Sequence, residues 1–127
     1  MLLTNFQKIF LIFLIINFNQ VNAEWVVITD DSKGKFSVED LAIRKDNNTR
    51  EYWGIQNLRV GKDNIKSAKA LHKVDCISGL TDILYMAGFS EINAKGNQVF
   101  EIQTPKISFS AKEKPELTPI TNYVCTH

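Results

Sequence analysis

Residues 70–76 read ALHKVDC and lead into one of the two cysteines of a 127-residue chain. The apolar and polar residues alternate here, so an extended strand would place His72, Val74 and Cys76 on one face and the charges between them in water. Residues 64–73 are ambiguous, because Ile65, Ala68 and Leu71 are also spaced for a helix. We therefore predict a strand from Ala70 that carries a cysteine on its apolar face.

The rest of the chain from residue 24 consists of short extended runs between clusters of Asn, Asp, Gly and Lys, a composition typical of turns. Residues 45–48, Lys-Asp-Asn-Asn, separate the runs 36–43 and 49–60, which predicts two antiparallel neighbours. Gly79 is expected to interrupt the chain after Cys76, and residues 94–97 to form another turn. Residues 107–110 alternate once more after the run 99–102, and the whole pattern predicts about six strands in a single domain.

The C-terminal segment differs in kind. Thr118-Pro119 is a helix-start signature, because a hydroxyl can cap the helix and Pro suits the first helical position. Ile120, Val124 and Cys125 would then lie on one side of a two-turn helix. A helix this short is marginal alone, so we expect packing and a covalent link to hold it.

The first 23 residues have the features of a secretory signal peptide. Lys8 precedes the apolar run 9–16, and small residues stand three and one places before a cut after Ala23. The alternative, a retained membrane anchor, would need about 20 apolar residues, and the run 9–16 is much shorter. We predict a signal peptide at residues 1–23, export through the Sec pathway, and a domain at residues 24–127 with no membrane span.

Both cysteines, Cys76 and Cys125, lie in the exported part. An even count, a small domain and an oxidising compartment favour a disulfide between them, with two free buried thiols as the alternative. The closed loop would contribute roughly 4 kcal/mol by chain-entropy estimates.

Charge gives little direction. The chain has 15 basic and 14 acidic side chains, which argues against a nucleic-acid partner. One local bias exists, and we interpret it either as a docking patch for an acidic protein segment or a sulfated polysaccharide, or as a solvated strand edge. Its members are Arg59, Lys62, Lys66, Lys69 and Lys73.

The sequence carries no catalytic or metal-binding pattern that we recognise. His72 and Cys76 are four positions apart, about 13 Å along a strand, which is too far for a Cys-His catalyst. The two His and two Cys could bind a metal together only if both cysteines were reduced, which an oxidising compartment disfavours. No G-x-S-x-G, H-E-x-x-H or phosphate-binding Gly motif occurs. We expect no enzyme activity and no cofactor.

Two aromatic pairs remain as candidate interface anchors. Tyr52-Trp53 and Tyr85-Met86 carry large apolar groups that could contact a partner, although such residues on alternating strands commonly belong to the core.

The order of several short motifs resembles the surface-adhesin protein E family of Gram-negative bacteria over residues 24–126. The motifs are Trp25-Val26-Val27, the stretch 52–58 (YWGIQNL), Lys66-Ser67-Ala68-Lys69 followed by Val74-Asp75-Cys76, and a final Tyr123-Val124-Cys125. The resemblance implies an α+β, mainly β fold: a curved antiparallel sheet with a short C-terminal helix tethered by a disulfide. It departs from the family at Phe109 and residues 111–115, where a Trp and a Pro-containing turn are usual.

The resemblance also implies a function, since the founding adhesin of the family binds host matrix and plasma proteins such as vitronectin and laminin. We therefore predict an exported, non-enzymatic binding module that contacts such proteins, in the periplasm or on the cell surface. Two alternatives stay open: a periplasmic inhibitor of a lytic enzyme such as lysozyme, and an envelope structural subunit. A homodimer is compatible with each of them.

Overall fold

The computed structural model describes residues 23–127, so the predicted signal peptide lies outside the described residues apart from its last position. The described part contains eight strands and one α-helix, α1, at Thr118–Thr126. The strands are β1 Trp25–Asp31, β2 Gly34–Glu39, β3 Arg44–Asp46, β4 Thr49–Lys62, β5 Ile65–Asp75, β6 Leu80–Glu91, β7 Lys95–Ile102 and β8 Ile107–Ser110.

All strands belong to one antiparallel sheet. Six of them form a continuous path in the order β1-β2-β4-β5-β6-β7, while β3 pairs with β4 and β8 pairs with β6. The sequence prediction of about six strands is close to this count: the alternating run at residues 107–110 is β8, whereas β3 was not predicted as a separate strand. The mainly β fold with a C-terminal helix is confirmed.

The β4–β5 hairpin settles the segment that was ambiguous in the sequence. Lys62 pairs with Ile65, and the two residues between them, Asp63 and Asn64, have φ angles of 52° and 65°. Positive φ at both central positions is the geometry of a two-residue hairpin turn whose twist suits the flanking strands. The strand β5 thus begins at Ile65, five residues before the predicted start, because this turn brings residues 65–69 into register with β4.

The predicted strand at residues 36–43 is broken. A 3-10 turn at Asp40–Ala42 ends β2, and the chain returns to the same neighbour as β3. The hairpin loop between β3 and β4 is shorter than predicted, because Asp46 already pairs with Thr49. Similarly, the turn predicted at residues 94–97 lies at Ile92–Ala94, and β7 follows directly.

The core lies between one face of the sheet and α1. Its buried cluster consists of Phe36 and Val38 from β2, Tyr52 from β4, Val74 from β5, and Ile120 and Val124 from the helix. Gly54 allows this packing, since a Cβ there would come within 2.4 Å of the Phe36 ring. The predicted apolar sides of β5 and of the helix therefore meet.

The disulfide joins Cys76, just after β5, to Cys125 in α1, and their Cα atoms are 5.8 Å apart. The pairing is confirmed, and it closes a loop between residues 49 positions apart. The helix begins as predicted at Thr118-Pro119, but the Thr118 hydroxyl makes no cap, because a 3-10 turn at Pro115–Leu117 runs directly into the helix. No helix among residues 23–127 is long and apolar enough to cross a membrane.

Candidate binding surface

The face of the sheet opposite α1, here called the open face, carries a second set of apolar side chains. Strand alternation and register assign them, because Tyr52 of the core pairs with His72 and their chain neighbours Trp53 and Leu71 therefore point the other way. The apolar side chains at its centre, which surround Lys69, are those of Trp25, Val27, Trp53, Ile55, Leu71, Tyr85 and Ala87.

Aromatic rings form a row across the open face. Trp53 and Tyr85 lie edge to face with their ring centroids 5.7 Å apart, and the ammonium of Lys69 lies over Trp53 and over Trp25. These rings are partly exposed, whereas the small side chains among them are covered: Ile55 is 6% and Ala87 1% exposed. The open face therefore has an ordered aromatic layer of its own.

One end of the open face is crossed by the 3-10 turn Ile92–Ala94. The side chains of Asn57 and Asn93 bond at 2.8 Å, and the buried Ser67 hydroxyl donates to the Glu91 carbonyl. Beside this turn is a groove of about 420 Å³ with two exposed apolar walls, Val27 and Ile92, each 53% exposed.

The acidic groups of the open face mostly have partners. Asp30 accepts from Arg59 at 2.6 Å, Glu51 lies 3.9 Å from Arg44, and Glu101 accepts from the Tyr85 hydroxyl at 2.6 Å. This last bond lowers the pKa of Glu101 and raises that of Tyr85. By contrast, three lysines of this face, Lys35, Lys69 and Lys73, form no ion pair within residues 23–127.

The structure separates the five basic residues of the predicted patch. Lys69 and Lys73 lie on the open face, while Lys66 of the same strand points to the opposite side. Lys62 stands at the tip of the β4–β5 hairpin, and the charge of Arg59 is paired with Asp30. The basic stretch is thus not one contiguous patch.

The aromatic candidates are divided as well. Tyr52 is buried in the core and Met86 lies on the same side of the sheet, whereas Trp53 and Tyr85 are on the open face. Sequence reasoning missed Trp25 as a surface residue, although the two-residue alternation from Trp25 to Val27 was a usable signal.

The core face has little accessible chemistry. His72 stacks on Tyr52 at 4.7 Å, with its Nδ1 3.1 Å from the Ala70 carbonyl, and burial lowers its pKa to about 4. Burial also raises the pKa of Tyr52. A cavity of about 160 Å³ adjoins these rings, below the size of most ligand sites. Among the described residues, no three His, Cys, Asp or Glu side chains are grouped for a metal.

The fold and the surface together define the class of protein. A disulfide-tethered helix covers one face of its antiparallel sheet, and the other face carries exposed aromatic side chains. The family model of surface-adhesin protein E matches residues 25–126, and the chain belongs to this family. The resemblance noted in the sequence is thereby confirmed.

Solved structures of Haemophilus influenzae protein E share the fold. One superposes with a TM-score of 0.65 at 13% identity, covering 84% of this chain and 87% of that chain. Its selenomethionine form gives a TM-score of 0.66 at 12% identity, covering 85% and 90%. No curated protein sequence matches the chain.

Proposed function

We propose that the protein is an exported adhesion module that binds a host extracellular-matrix or plasma protein through its open face. The observation that carries the proposal is the aromatic row of Trp25, Trp53 and Tyr85, which stays partly exposed although the other face of the same sheet is closed. Trp and Tyr side chains are enriched among the residues that anchor protein interfaces. Membership of an adhesin family supports the role.

Lys69 and Lys73, the two members of the predicted basic patch on this face, would steer an acidic partner and fix its register. They would add less to affinity than the rings do. Binding should therefore weaken with salt without disappearing.

The test is binding of the purified, exported protein to immobilised vitronectin and laminin at low and at physiological salt. Trp25→Ser should weaken a saturable signal by about tenfold or more, because a central aromatic anchor is lost. Val60→Ser is the matched control, since Val60 is 81% exposed near the tip of the β4–β5 hairpin and away from the aromatic row. Absence of saturable binding to either protein at both salts would end the matrix-protein version.

Surface location is part of the proposal and needs its own measurement. Protease added to intact cells should remove the protein if it faces outward, whereas a periplasmic form stays protected until the outer membrane is opened. Protection on intact cells would exclude contact with host matrix and favour an envelope role.

A second candidate function uses the tip of the β4–β5 hairpin instead of the aromatic row. The tight Asp63-Asn64 turn and the exposed Val60 form a narrow hairpin tip that could enter an enzyme cleft, as the inhibitor alternative requires. Slowing of lysozyme activity by micromolar protein would support it, and Val60→Ser should then abolish the inhibition.

A further inference from the structure

The two tryptophans of the chain share one lysine. The Nζ atom of Lys69 is 5.7 Å from the ring centroid of Trp25 and 5.0 Å from that of Trp53. A cation within about 6 Å of an indole face is attracted by the ring quadrupole. Lys69 is therefore held in a defined position between two ring faces, although Trp25 and Trp53 belong to strands separated by β2.

The charge of Lys69 is left without a carboxylate. Within residues 23–127 it forms no ion pair. On the neighbouring strands Glu51 lies beside Arg44 and Asp82 accepts from Ser108, and on β7 Glu101 accepts from Tyr85. Glu39, which pairs with Trp25 across the β1–β2 ladder, makes no ion pair with Lys69 either. A lysine that packs on apolar rings and lacks a counter-charge is suited to an anionic ligand with an apolar surface.

We propose that Trp25, Lys69 and Trp53 form a binding site for an acidic sugar unit of a sulfated or uronic-acid polysaccharide. A pyranose ring presents a flat face of C–H groups that packs against an indole, while its hydroxyls stay in water. A sulfate or carboxylate on the same ring meets the Lys69 ammonium in a charge-assisted hydrogen bond. The carboxylate of an acidic peptide matches the charge but offers no such flat apolar face.

Two further unpaired lysines extend the site in the directions that a chain of repeated acidic units needs. Lys73 lies four residues along β5, roughly 13 Å away on the same face. Lys35 lies on β2, beside the groove between Val27 and Ile92. A polymer can thus cross the aromatic row at Lys69 and meet a second charge on either side, which a single sugar cannot.

This assignment rests on the proposed binding role of the open face and names a partner class for it. The experiment titrates the exported protein with a heparin hexasaccharide and follows intrinsic tryptophan fluorescence together with calorimetry. Because both tryptophans of the chain are in the site, occupancy should change their emission and saturate with the calorimetric signal. Neutral dextran oligosaccharides should do neither.

The variants use a matched pair on β5. Lys69→Gln should weaken heparin binding about tenfold, because the central charge is lost. Lys66→Gln removes an exposed lysine three residues away that points to the other side of the sheet, so its effect should stay within about twofold. De-sulfated heparin on the unmodified protein tests the charge requirement without any variant, and it should bind more weakly than heparin.

Several outcomes overturn the assignment. Equal losses in Lys69→Gln and Lys66→Gln would reveal diffuse charge attraction, and unchanged tryptophan emission would place the sugar elsewhere. Stronger competition by polyglutamate than by heparin would make an acidic protein segment the ligand. Vitronectin or laminin binding without heparin binding ends this inference and leaves the proposed function standing. Heparin binding without vitronectin or laminin binding supports this inference and ends the matrix-protein version of the proposed function.

Discussion

The two faces of the sheet carry similar numbers of aromatic side chains, but those of one face are buried and those of the other are partly exposed. Phe36, Tyr52 and His72 are buried under the helix, while Trp53 and Tyr85, on the same or neighbouring strands, are partly exposed. Alternation along the strands makes the two sets but does not decide which becomes the core. The helix α1 decides it, because Ile120 and Val124 cover one face and the disulfide keeps them there.

The difference between the faces shows that the buried core of this domain depends on one short helix, α1. The helix has nine residues, too few to be stable alone, and it contributes two of the six residues of the buried cluster. If the cover were lost, both faces of the sheet would present aromatic surface to water. Four predictions test the contrast.

The largest effect is expected from removing the disulfide. The double variant Cys76→Ser, Cys125→Ser should lose about 4 kcal/mol of unfolding free energy, because the unfolded chain regains the freedom of a 49-residue loop. Urea denaturation measures it, and reduction of the unmodified protein is the parallel test. A loss below about 1 kcal/mol would mean that packing alone holds the helix.

The next effect is a loss of stability in acid, caused by His72. Its pKa is about 4 in the folded protein, lowered by burial, against 6.5 unfolded, so the unfolded chain binds the proton more tightly. The contribution of neutral His72 to the unfolding free energy is fully present above pH 6.5. It is lost as the pH decreases toward 4, by roughly 3 kcal/mol in total. Asp75 and Glu101, whose pKa values are lowered, add losses in the same direction at lower pH.

Urea unfolding at several pH values between 4 and 7 measures this loss. His72→Phe should flatten the profile in that window, while His127→Gln, at the exposed second histidine, should keep it. A profile that His72→Phe does not change would assign the acid loss to other groups.

The sequence predicted the side of each strand better than the element boundaries. Alternation identified the apolar face of residues 72–76 correctly, because burial on one face imposes a period of two. The break at Asp40–Ala42 and the short strand β3 were missed, since they depend on which neighbour supplies hydrogen bonds. The Asp63-Asn64 turn was a readable signal that the helix-like spacing of residues 65–71 obscured.

The candidate surface was less accessible to sequence reasoning than the fold. Lys69 and Lys73 were predicted as members of a linear basic run, but strand alternation places Lys66 on the other side and ion pairing neutralises Arg59. Trp25 and Trp53 are 28 positions apart, and only the β1-β2-β4-β5 order brings both rings to Lys69. Local patterns carry no information on such contacts.

A smaller effect on the core side is expected at the helix C-terminus. The Tyr123 hydroxyl donates to Asp40 at 2.6 Å, a bond that raises the pKa of Tyr123 to about 12 and ties α1 to the turn after β2. Tyr123→Phe should cost about 1 kcal/mol of unfolding free energy at pH 7. Asp40→Asn keeps an acceptor oxygen and should cost less, so a larger loss in Asp40→Asn would contradict the assignment of this bond.

The smallest effect should come from the open face. Lys69→Met removes the charge over the two indole rings and keeps a flexible chain of similar length, so the expected loss is about 0.5 kcal/mol. Lys73→Met, on the same face but over no ring, should change unfolding free energy by less than about 0.3 kcal/mol. Urea denaturation of both variants, at the pH used for the disulfide variant, makes the comparison direct. A loss above about 2 kcal/mol in Lys69→Met would show that the aromatic row supports the fold as the core does, because a surface contact of this kind cannot contribute that much. The contrast between a stabilising face and a face free to bind would then fail at its central residue.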